Sequence, residues 1–230
     1  VGGLLMAEPD MGALVVISLI AFGILFLGGI NAKLFGGLLA VGILSAVTII
    51  AFSPFRQKRI MAFIDPWQVD NAANKGYQLT HSLMAFGRGE WFGLGLGGSV
   101  EKLHYLPEAH TDFIFAVIGE ELGLLGTLVV LLLFAALIYG IFRVSLKTKD
   151  SFSRYATAGI ACWFLVQVTV NIASVTSLLP VIGVTLPFIS YGGSSLIANF
   201  MAIGFVLGVA RRTPEIAEGI KAARMRKLGR

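Results

Sequence analysis

Long uncharged stretches, separated by short groups of charged residues, run along most of the chain. Uncharged runs of 22, 22, 21 and 56 residues lie between Asp10 and Lys33, Lys33 and Arg56, Glu121 and Arg143, and Arg154 and Arg211. A helix needs about 20 apolar residues to cross the hydrocarbon core of a bilayer, so the longest run has room for two crossings. The pattern predicts five membrane-spanning helices, near residues 11–31, 33–52, 112–142, 155–178 and 192–210.

The composition is that of a membrane protein. Hydrophobic residues make up 56% of the 230 residues and charged residues 13%, whereas a soluble domain carries about 25% charged residues. With a mean hydropathy of +0.83, the chain is expected to be an all-α polytopic membrane protein. The single cysteine, Cys162, lies within a predicted span and indicates no intramolecular disulfide. The first residues do not resemble a signal peptide, and we expect the chain to begin inside a larger protein.

Basic residues predict the orientation. The connection 143–154 carries four basic residues against one acidic residue, and the tail 211–230 carries seven against two. Basic connections face the cytoplasm, which puts the N-terminus, residues 53–111 and residues 179–191 outside. Arg56, Lys58 and Arg59 oppose this assignment, but long loops are largely exempt from the rule. We expect the tail to lie along the cytoplasmic leaflet as a weakly amphipathic helix, and a merely solvated tail is an equal alternative.

The external loop 53–111 does not have the composition of a disordered linker. It contains several aromatic residues, an apolar helical stretch at 78–86, and six glycines between residues 87 and 98. Loops of this length in compact proteins usually have a function. We expect short helices that lie on the outer membrane interface or dip into it.

Acidic residues are crowded where this loop meets the next predicted span. Glu108, His110 and Asp112 fall within five residues, and Thr111 is a candidate N-cap that puts Asp112 in the first helical turn. A first-turn aspartate often only stabilises the helix dipole. However, Asp112 lies where a lipid-borne substrate would present its head group. Glu120 and Glu121 follow about 12 Å deeper at 1.5 Å per residue, and we expect only one of them to reach the same cavity.

A straight helix would align small residues beneath Asp112. At 100° per residue, Asp112 heads a groove formed by Ala116, Gly119, Gly123 and Gly126. Close helix packing is the alternative interpretation of such a seam, and we favour it for the lower part.

A second candidate site lies in the last external connection. Two prolines, Pro180 and Pro187, break the helical pattern with Gly183, and Ser-Tyr-Gly-Gly-Ser-Ser at 190–195 opens the next span. Free N–H groups at a helix start, together with hydroxyls, can bind an anion. A re-entrant turn that satisfies its own backbone groups is an equal alternative.

These motifs resemble the SEDS family (shape, elongation, division and sporulation). The resemblance covers residues 8 to about 211, and the Gly87–Leu106 stretch is more similar to the division branch than to the elongation branch. Its motifs are Glu-Pro-Asp-Met-Gly at 8–12, Pro-Glu-Ala-His-Thr-Asp-Phe-Ile-Phe at 107–115, Gly-Glu-Glu-Leu-Gly at 119–123, and Leu-Pro-Phe-Ile-Ser-Tyr-Gly-Gly-Ser at 186–194.

The resemblance implies a ten-helix fold, of which this chain would supply the sixth to tenth helices. It also implies a peptidoglycan glycosyltransferase that polymerises lipid II during septal cell-wall synthesis in the bacterial inner membrane, with Asp112 as general base. A divalent cation (Mg or Mn) is an open expectation. The expected partners are lipid II, a class B penicillin-binding protein, other division proteins and membrane lipids, with no nucleic acid. The residues expected to contact substrate are Arg88, Lys102, Glu108, His110, Thr111, Glu120, Glu121, Ser190, Tyr191, Gly192, Gly193 and Ser194.

Two other functions are compatible with the sequence. A lipid II flippase would need polar residues through the whole bilayer depth, but the ionisable residues lie on the outer side and the fourth span has only Gln167 and Asn171 as strong polar groups. A non-catalytic scaffold of the division complex would tolerate loss of the Asp112 carboxylate. The effect of Asp112→Asn therefore discriminates between an enzyme and a scaffold.

Overall fold

A computed structural model gives the fold for residues 11–68, 76–103, 105–216 and 218. All regular structure within these residues is helical, and seven helices follow one another along the chain. They are α1 (Met11–Leu27), α2 (Ala32–Ala51), α3 (Pro54–Ile64), α4 (Tyr77–Gly89), α5 (Ile114–Lys147), α6 (Ser151–Val175) and α7 (Gly193–Arg212).

Four of these helices, α2, α5, α6 and α7, are long and apolar enough to cross a membrane. Helix α1 is apolar but shorter, because it ends at Leu27 before two glycines instead of reaching residue 31 as the sequence predicted. Helix α4 covers the apolar stretch predicted at 78–86. The described part of the chain therefore confirms an all-α, polytopic membrane fold. The predicted tail helix falls mostly on residues 217 and 219–230, outside the described residues.

Helix α6 lies at the centre of the bundle. Helices α1, α5 and α7 pack against it, and along much of its length its side chains are buried. The packing is close enough that a Cβ added at Gly23 of α1 would lie 3.1 Å from the Cys162 sulfur, and one added at Gly159 would lie 3.0 Å from Ile24. Helix α2, by contrast, buries no residue.

The start of α5 corrects the predicted cap. The helix begins at Ile114 with Phe113 as its N-cap residue, and no side chain caps it. The Thr111 hydroxyl instead donates to the Glu108 carbonyl oxygen at 3.1 Å and to the Glu108 carboxylate at 2.7 Å. Asp112 therefore precedes the helix rather than occupying its first turn.

Helix α5 is broken at Gly123. This residue has φ 65° and ψ −165°, far from helical values, and a Cβ added at Gly126 would lie only 2.2 Å from the Leu122 Cβ. Residues four apart on a continuous helix keep their Cβ atoms about 5–6 Å apart. The arm 114–122 and the arm 124–147 are therefore two helices joined by a sharp bend, and the predicted straight groove below Asp112 is wrong.

The segment that follows α4 fills this break. In a continuous helix the N–H groups of Leu124 and Leu125 would donate to the carbonyls of Glu120 and Glu121. Here Leu124 donates to the Glu90 carbonyl at 2.9 Å and Leu125 to the Trp91 carbonyl at 3.2 Å. The carbonyls of Glu120 and Glu121, which have lost their helical donors, accept hydrogen bonds from the loop instead. Leu94 N–H reaches the Glu120 oxygen and Gly95 N–H reaches the Glu121 oxygen, each at 2.9 Å.

The small residues of α5 allow this close approach. A Cβ added at Gly123 would lie 2.5 Å from the Gly93 nitrogen and 2.6 Å from the Phe92 nitrogen, and one added at Gly119 would lie 2.5 Å from the Phe86 ring. The small-residue seam is thus a packing surface for α4 and the segment after it.

Gly123→Ala is expected to destabilise the fold. A methyl group there meets backbone atoms, and the left-handed conformation costs a residue other than glycine about 1–3 kcal/mol by strain alone. The melting temperature of the detergent-solubilised protein should fall clearly.

Gly140→Ala is the matched control on the same helix, because a Cβ at Gly140 meets nothing within 4 Å. Alanine is better than glycine in a helix by about 0.5–1 kcal/mol, so this variant should melt at or slightly above the wild-type temperature. Wild-type melting of Gly123→Ala would contradict the broken helix.

Candidate functional site

The end of the long loop and residues 176–192, both predicted to be external, meet beside the start of α5. The Tyr191 N–H donates to the His110 carbonyl oxygen at 2.8 Å. The Ser190 hydroxyl donates to the Thr111 carbonyl oxygen at 2.6 Å and accepts from the Leu186 N–H at 2.6 Å. The two motifs, which the sequence puts on the same side of the membrane, are therefore in direct contact.

Two amide side chains of α6 donate hydrogen bonds to the main chain at this junction. Asn171, 2% exposed, donates through Nδ2 to the Asp112 carbonyl at 2.8 Å and to the Val184 carbonyl at 2.6 Å. Gln167, one turn earlier, donates through Nε2 to the Thr185 carbonyl at 2.9 Å. These bonds fix the main chain of Asp112 relative to the connection before α7.

The Asp112 carboxylate itself is left available. It is partly buried, and no hydrogen bond reaches it from the described residues. A Cβ added at Gly183, which has φ 76°, would lie 3.3 Å from the Asp112 Oδ2 atom. Only glycine adopts this conformation readily, so the backbone can lie against the carboxylate. Burial, with a smaller contribution from the Glu108 charge, raises the pKa of Asp112 above its ordinary value.

Exposed side chains lie at this junction. The rings of His110 and Tyr191 meet edge to face with centroids 5.7 Å apart, and both residues are exposed, as is Glu108. Glu108 has φ 55°, a strained value for this residue type, which holds the turn before Asp112. His110, Thr111, Glu108 and Tyr191 thus lie at one junction, and their contact with substrate stays a prediction.

Helix α7 starts next to this group. Gly192 is its N-cap residue, and no side chain caps the first turn. Gly193 and Ser194 are exposed, and a Cβ added at Gly193 meets nothing within 4 Å. Ser190 differs from them, because its hydroxyl both donates and accepts within the protein. Ser190 therefore has a structural role at this junction, and its contact with substrate stays a prediction.

Glu120 and Glu121, predicted to continue the acidic set, are both bound by the long loop. Fully buried Glu120 accepts from the Ser99 hydroxyl at 2.5 Å and from the N–H groups of Val100 and Glu101 at 3.2 Å each. Glu121 pairs with Lys102, its Oε1 lying 2.5 Å from Nζ. Both carboxylates thus have partners in the loop, and contact of either with substrate stays a prediction.

Arg88 belongs to the same loop network. Its Nη1 lies 2.5 Å from Oε1 of Glu101 and 3.6 Å from Oε1 of Glu120, while His81 Nδ1 lies 2.6 Å from the other Glu101 oxygen. Arg88 and Lys102, predicted to contact substrate, are therefore both ion-paired, Arg88 with Glu101 of the loop and Lys102 with Glu121 of α5. These ion pairs help to fix the segment that fills the break in α5.

The residues around Asp112 could hold a metal ion only together with ligands supplied by a bound substrate. Among the described residues, no three His, Cys, Asp or Glu side chains form a group placed to hold a metal. Asp112 and Glu108 are the neighbouring carboxylates. Magnesium often binds through one or two carboxylates together with substrate phosphates, and these two side chains match that arrangement.

Sequence reasoning missed the roles of Asn171, Gln167 and Gly183. The two amides had a usable signal, because polar side chains in an apolar span are costly and these lie four residues apart on one helical face. Gly183 had no such signal, since its importance depends on which side chain the fold brings against it.

Comparisons with known proteins agree with the motifs. The model of the family described as "Cell cycle protein" (FtsW, RodA and SpoVE) matches residues 1–215. The chain is 64% identical over 212 residues to the probable peptidoglycan glycosyltransferase FtsW of Polynucleobacter necessarius, covering 91% of this chain and 50% of that protein. It is 53% identical to the protein of the same name from Burkholderia thailandensis, covering 91% of this chain and 46% of that one.

Solved structures give the same family. A chain from a structure on the coordination of polymerization and crosslinking by a peptidoglycan synthase complex matches with a TM-score of 0.72 and 28% identity, over 92% of this chain and 59% of that one. A mutant of the rod shape determining protein RodA of Thermus thermophilus matches with a TM-score of 0.59 and 28% identity, over 93% and 54%. The chain spans about half the length of the curated relatives it matches. Since the family model covers most of its residues, the chain belongs to the FtsW, RodA and SpoVE family of cell cycle proteins.

Proposed function

We propose that the full-length protein containing this chain is a peptidoglycan glycosyltransferase that polymerises lipid II, with Asp112 as general base. The observation that carries the proposal is the Asp112 carboxylate, which receives no hydrogen bond from the described residues although its main chain is fixed by Asn171. Relatives named peptidoglycan glycosyltransferase FtsW support the same activity.

The reaction needs a base. The sugar 4-hydroxyl of the acceptor attacks C1 of the donor, the bond from C1 to the diphosphate oxygen breaks, and undecaprenyl diphosphate leaves. Asp112 takes the hydroxyl proton as the new glycosidic bond forms. A general base works best when its pKa lies near the working pH. The burial that raises the pKa of Asp112 moves this carboxyl in the useful direction.

The leaving diphosphate needs positive charge or N–H donors. The uncapped start of α7 at Gly193 and Ser194 supports a role in binding it, because free N–H groups at a helix start favour anions. A divalent cation, held by Asp112 and Glu108 together with the diphosphate, would neutralise charge there when bound. Tyr191 and His110 are exposed at the junction beside Asp112, where they would contact the sugars.

The proposed setting is the division septum of a bacterial inner membrane, with Asp112 on the outer side. The basic connection between α5 and α6 and the basic end of α7 support this orientation by the positive-inside rule. We also propose a class B penicillin-binding protein as partner, supported by the similarity to a chain of a peptidoglycan synthase complex.

Asp112→Asn in the full-length protein should reduce lipid II polymerisation by about 10²-fold or more, the usual contribution of a general base. The amide keeps the size of the side chain and the main-chain contact with Asn171, so the melting temperature should stay near that of the wild type. Polymerisation of purified lipid II in the presence of the partner transpeptidase measures the rate.

Glu90→Gln is the matched control, because Glu90 is an exposed carboxylate on the same long loop. It should retain wild-type polymerisation. A well-folded Asp112→Asn protein with near-normal product would exclude the general-base role and favour a scaffold.

Glu108→Gln should move the acidic limb of the pH–rate profile to lower pH. The base must be ionised, and the Glu108 charge raises the pKa of Asp112 by disfavouring that ionised form. Removing the charge lowers the pKa, so the base becomes active at lower pH. Burial still acts, so the limb should stay above the ordinary aspartate pKa of about 3.9. An unchanged limb, or one moved upward, would contradict the assignment of the limb to Asp112.

Gly193→Val should impair turnover more than folding. The valine side chain enters open space, so the melting temperature should change little. The same side chain obstructs a ligand at the α7 start, and polymerisation should fall by about tenfold or more, since small misplacements of substrate are costly. A parallel loss of melting temperature and activity would make this motif purely structural.

A further inference from the structure

The end of the bundle opposite Asp112 contains a basic cavity that the proposed reaction does not use. Its volume is about 520 Å³, and it lies between the α5–α6 connection and the end of α7. This volume falls within the range of about 300–1,000 Å³ that is common for small-molecule sites. Its charged lining residues are Lys147, Lys149, Asp150 and Arg212.

The positive charges that line the cavity outnumber the negative ones. Three cations and one carboxylate give a net charge of +2 (three minus one). Asp150 is already engaged as the N-cap of α6, accepting from the Ser153 N–H at 2.8 Å. Lys147 lies 3.6 Å from Glu215. Lys149 and Arg212 form no ion pair within the described part of the chain, so two cations line the cavity without a counter-charge.

The walls of this cavity are held together by hydrogen bonds. The hydroxyls of Thr148 and Thr213 lie 3.2 Å apart and join the α5–α6 connection to the end of α7. The Thr148 hydroxyl also lies 2.8 Å from the Val144 carbonyl and the Thr213 hydroxyl 3.0 Å from the Val209 carbonyl, so one hydroxyl donates to its carbonyl while the other donates to its partner hydroxyl. Both threonines are buried. The cations therefore project from a fixed frame rather than from a loose connection.

Polarity changes along the depth of the cavity. Arg212 and Lys149 lie at the end of the helices, whereas Phe205, Gly208 and Val209 line it further along α7. Seven residues separate Phe205 from Arg212, which is about 10 Å at 1.5 Å per residue. Polarity changes in the same order along a phospholipid, whose phosphate lies at the membrane surface and whose acyl chains begin at a similar depth in the apolar layer.

We propose that this cavity binds the headgroup of an anionic glycerophospholipid from the adjoining leaflet, the cytoplasmic one by the positive-inside rule. Lys149 and Arg212 bind the phosphate, with arginine supplying two parallel N–H donors. The acyl chains lie along Phe205 and Gly208. Basic pockets between membrane helices on the cytoplasmic side commonly bind anionic lipids. The proposal does not depend on the glycosyltransferase activity.

Lipid retention by the full-length protein in detergent, measured by native mass spectrometry, tests the proposal. Phosphatidylglycerol should be retained in preference to phosphatidylcholine. Lys149→Gln and Arg212→Gln should each weaken that retention about fivefold, the usual effect of one basic residue near anionic lipid. Arg211→Gln removes an equal charge next to Arg212 but outside the cavity lining, and should change retention less than twofold.

A steric pair of variants tests the site without changing its charge. Gly208 lines the cavity and Gly204 does not, and a Cβ at either position meets nothing within 4 Å. Gly208→Leu should abolish the preference for phosphatidylglycerol, while Gly204→Leu should keep it. Melting temperatures of both variants check that they are folded.

Four results would overturn the proposal. They are equal retention of the two lipids by the wild type, an equal loss in Arg211→Gln, wild-type preference in Gly208→Leu, and equally tight binding of soluble glycerol 3-phosphate. Displacement of the lipid preference by an acidic peptide with higher affinity would likewise assign the cavity to a protein partner.

Discussion

Backbone N–H and C=O groups that leave a helix within a membrane protein must find other partners, because lipid offers none. The break in α5 at Gly123 frees two carbonyls and two N–H groups, and residues 90–95 satisfy all four. This exchange fixes the long loop to the bundle. The buried carboxylates of Glu101 and Glu120, bonded to Arg88 and Ser99, then hold further residues of the loop. The loop is thus built into the fold through the backbone, and its side-chain network depends on that insertion.

The need to satisfy non-helical backbone groups also determines the structure of the connection between α6 and α7. Residues 176–192 leave regular structure between α6 and α7, and their carbonyls at 184 and 185 accept from Asn171 and Gln167. The Ser190 hydroxyl joins this segment to the residues before α5. An amide in an apolar span is costly unless it is bonded, and here each amide nitrogen is bonded to non-helical backbone. Helix α6 therefore supports the loops that carry the candidate site.

Much of the architecture could be predicted from the sequence, because apolar run length and charge position determine membrane crossings directly. The sequence also allowed the Asp112 and Ser190 segments to meet, since both were predicted on one side of the membrane, but their direct contact is known only from the structure. The break at Gly123 did not, because glycine fits both an unbroken helix and a bend. The choice depends on residues 90–95, some 30 positions earlier, through backbone bonds that leave no side-chain pattern. The partners of Glu120 and Lys102 could not be predicted for the same reason, since they depend on how the loop is placed.

Two carboxylates only eight residues apart, Asp112 and Glu120, have opposite environments. Glu120 is fully buried and accepts three hydrogen bonds, so its charge is used within the fold. Asp112 is partly buried and accepts none from the described residues, while its carbonyl oxygen is held by Asn171. A buried acceptor without a partner costs stability, and such a cost persists where the group serves another purpose. Environment rather than residue type therefore separates a carboxylate that stabilises the loop from one that is available for proton transfer.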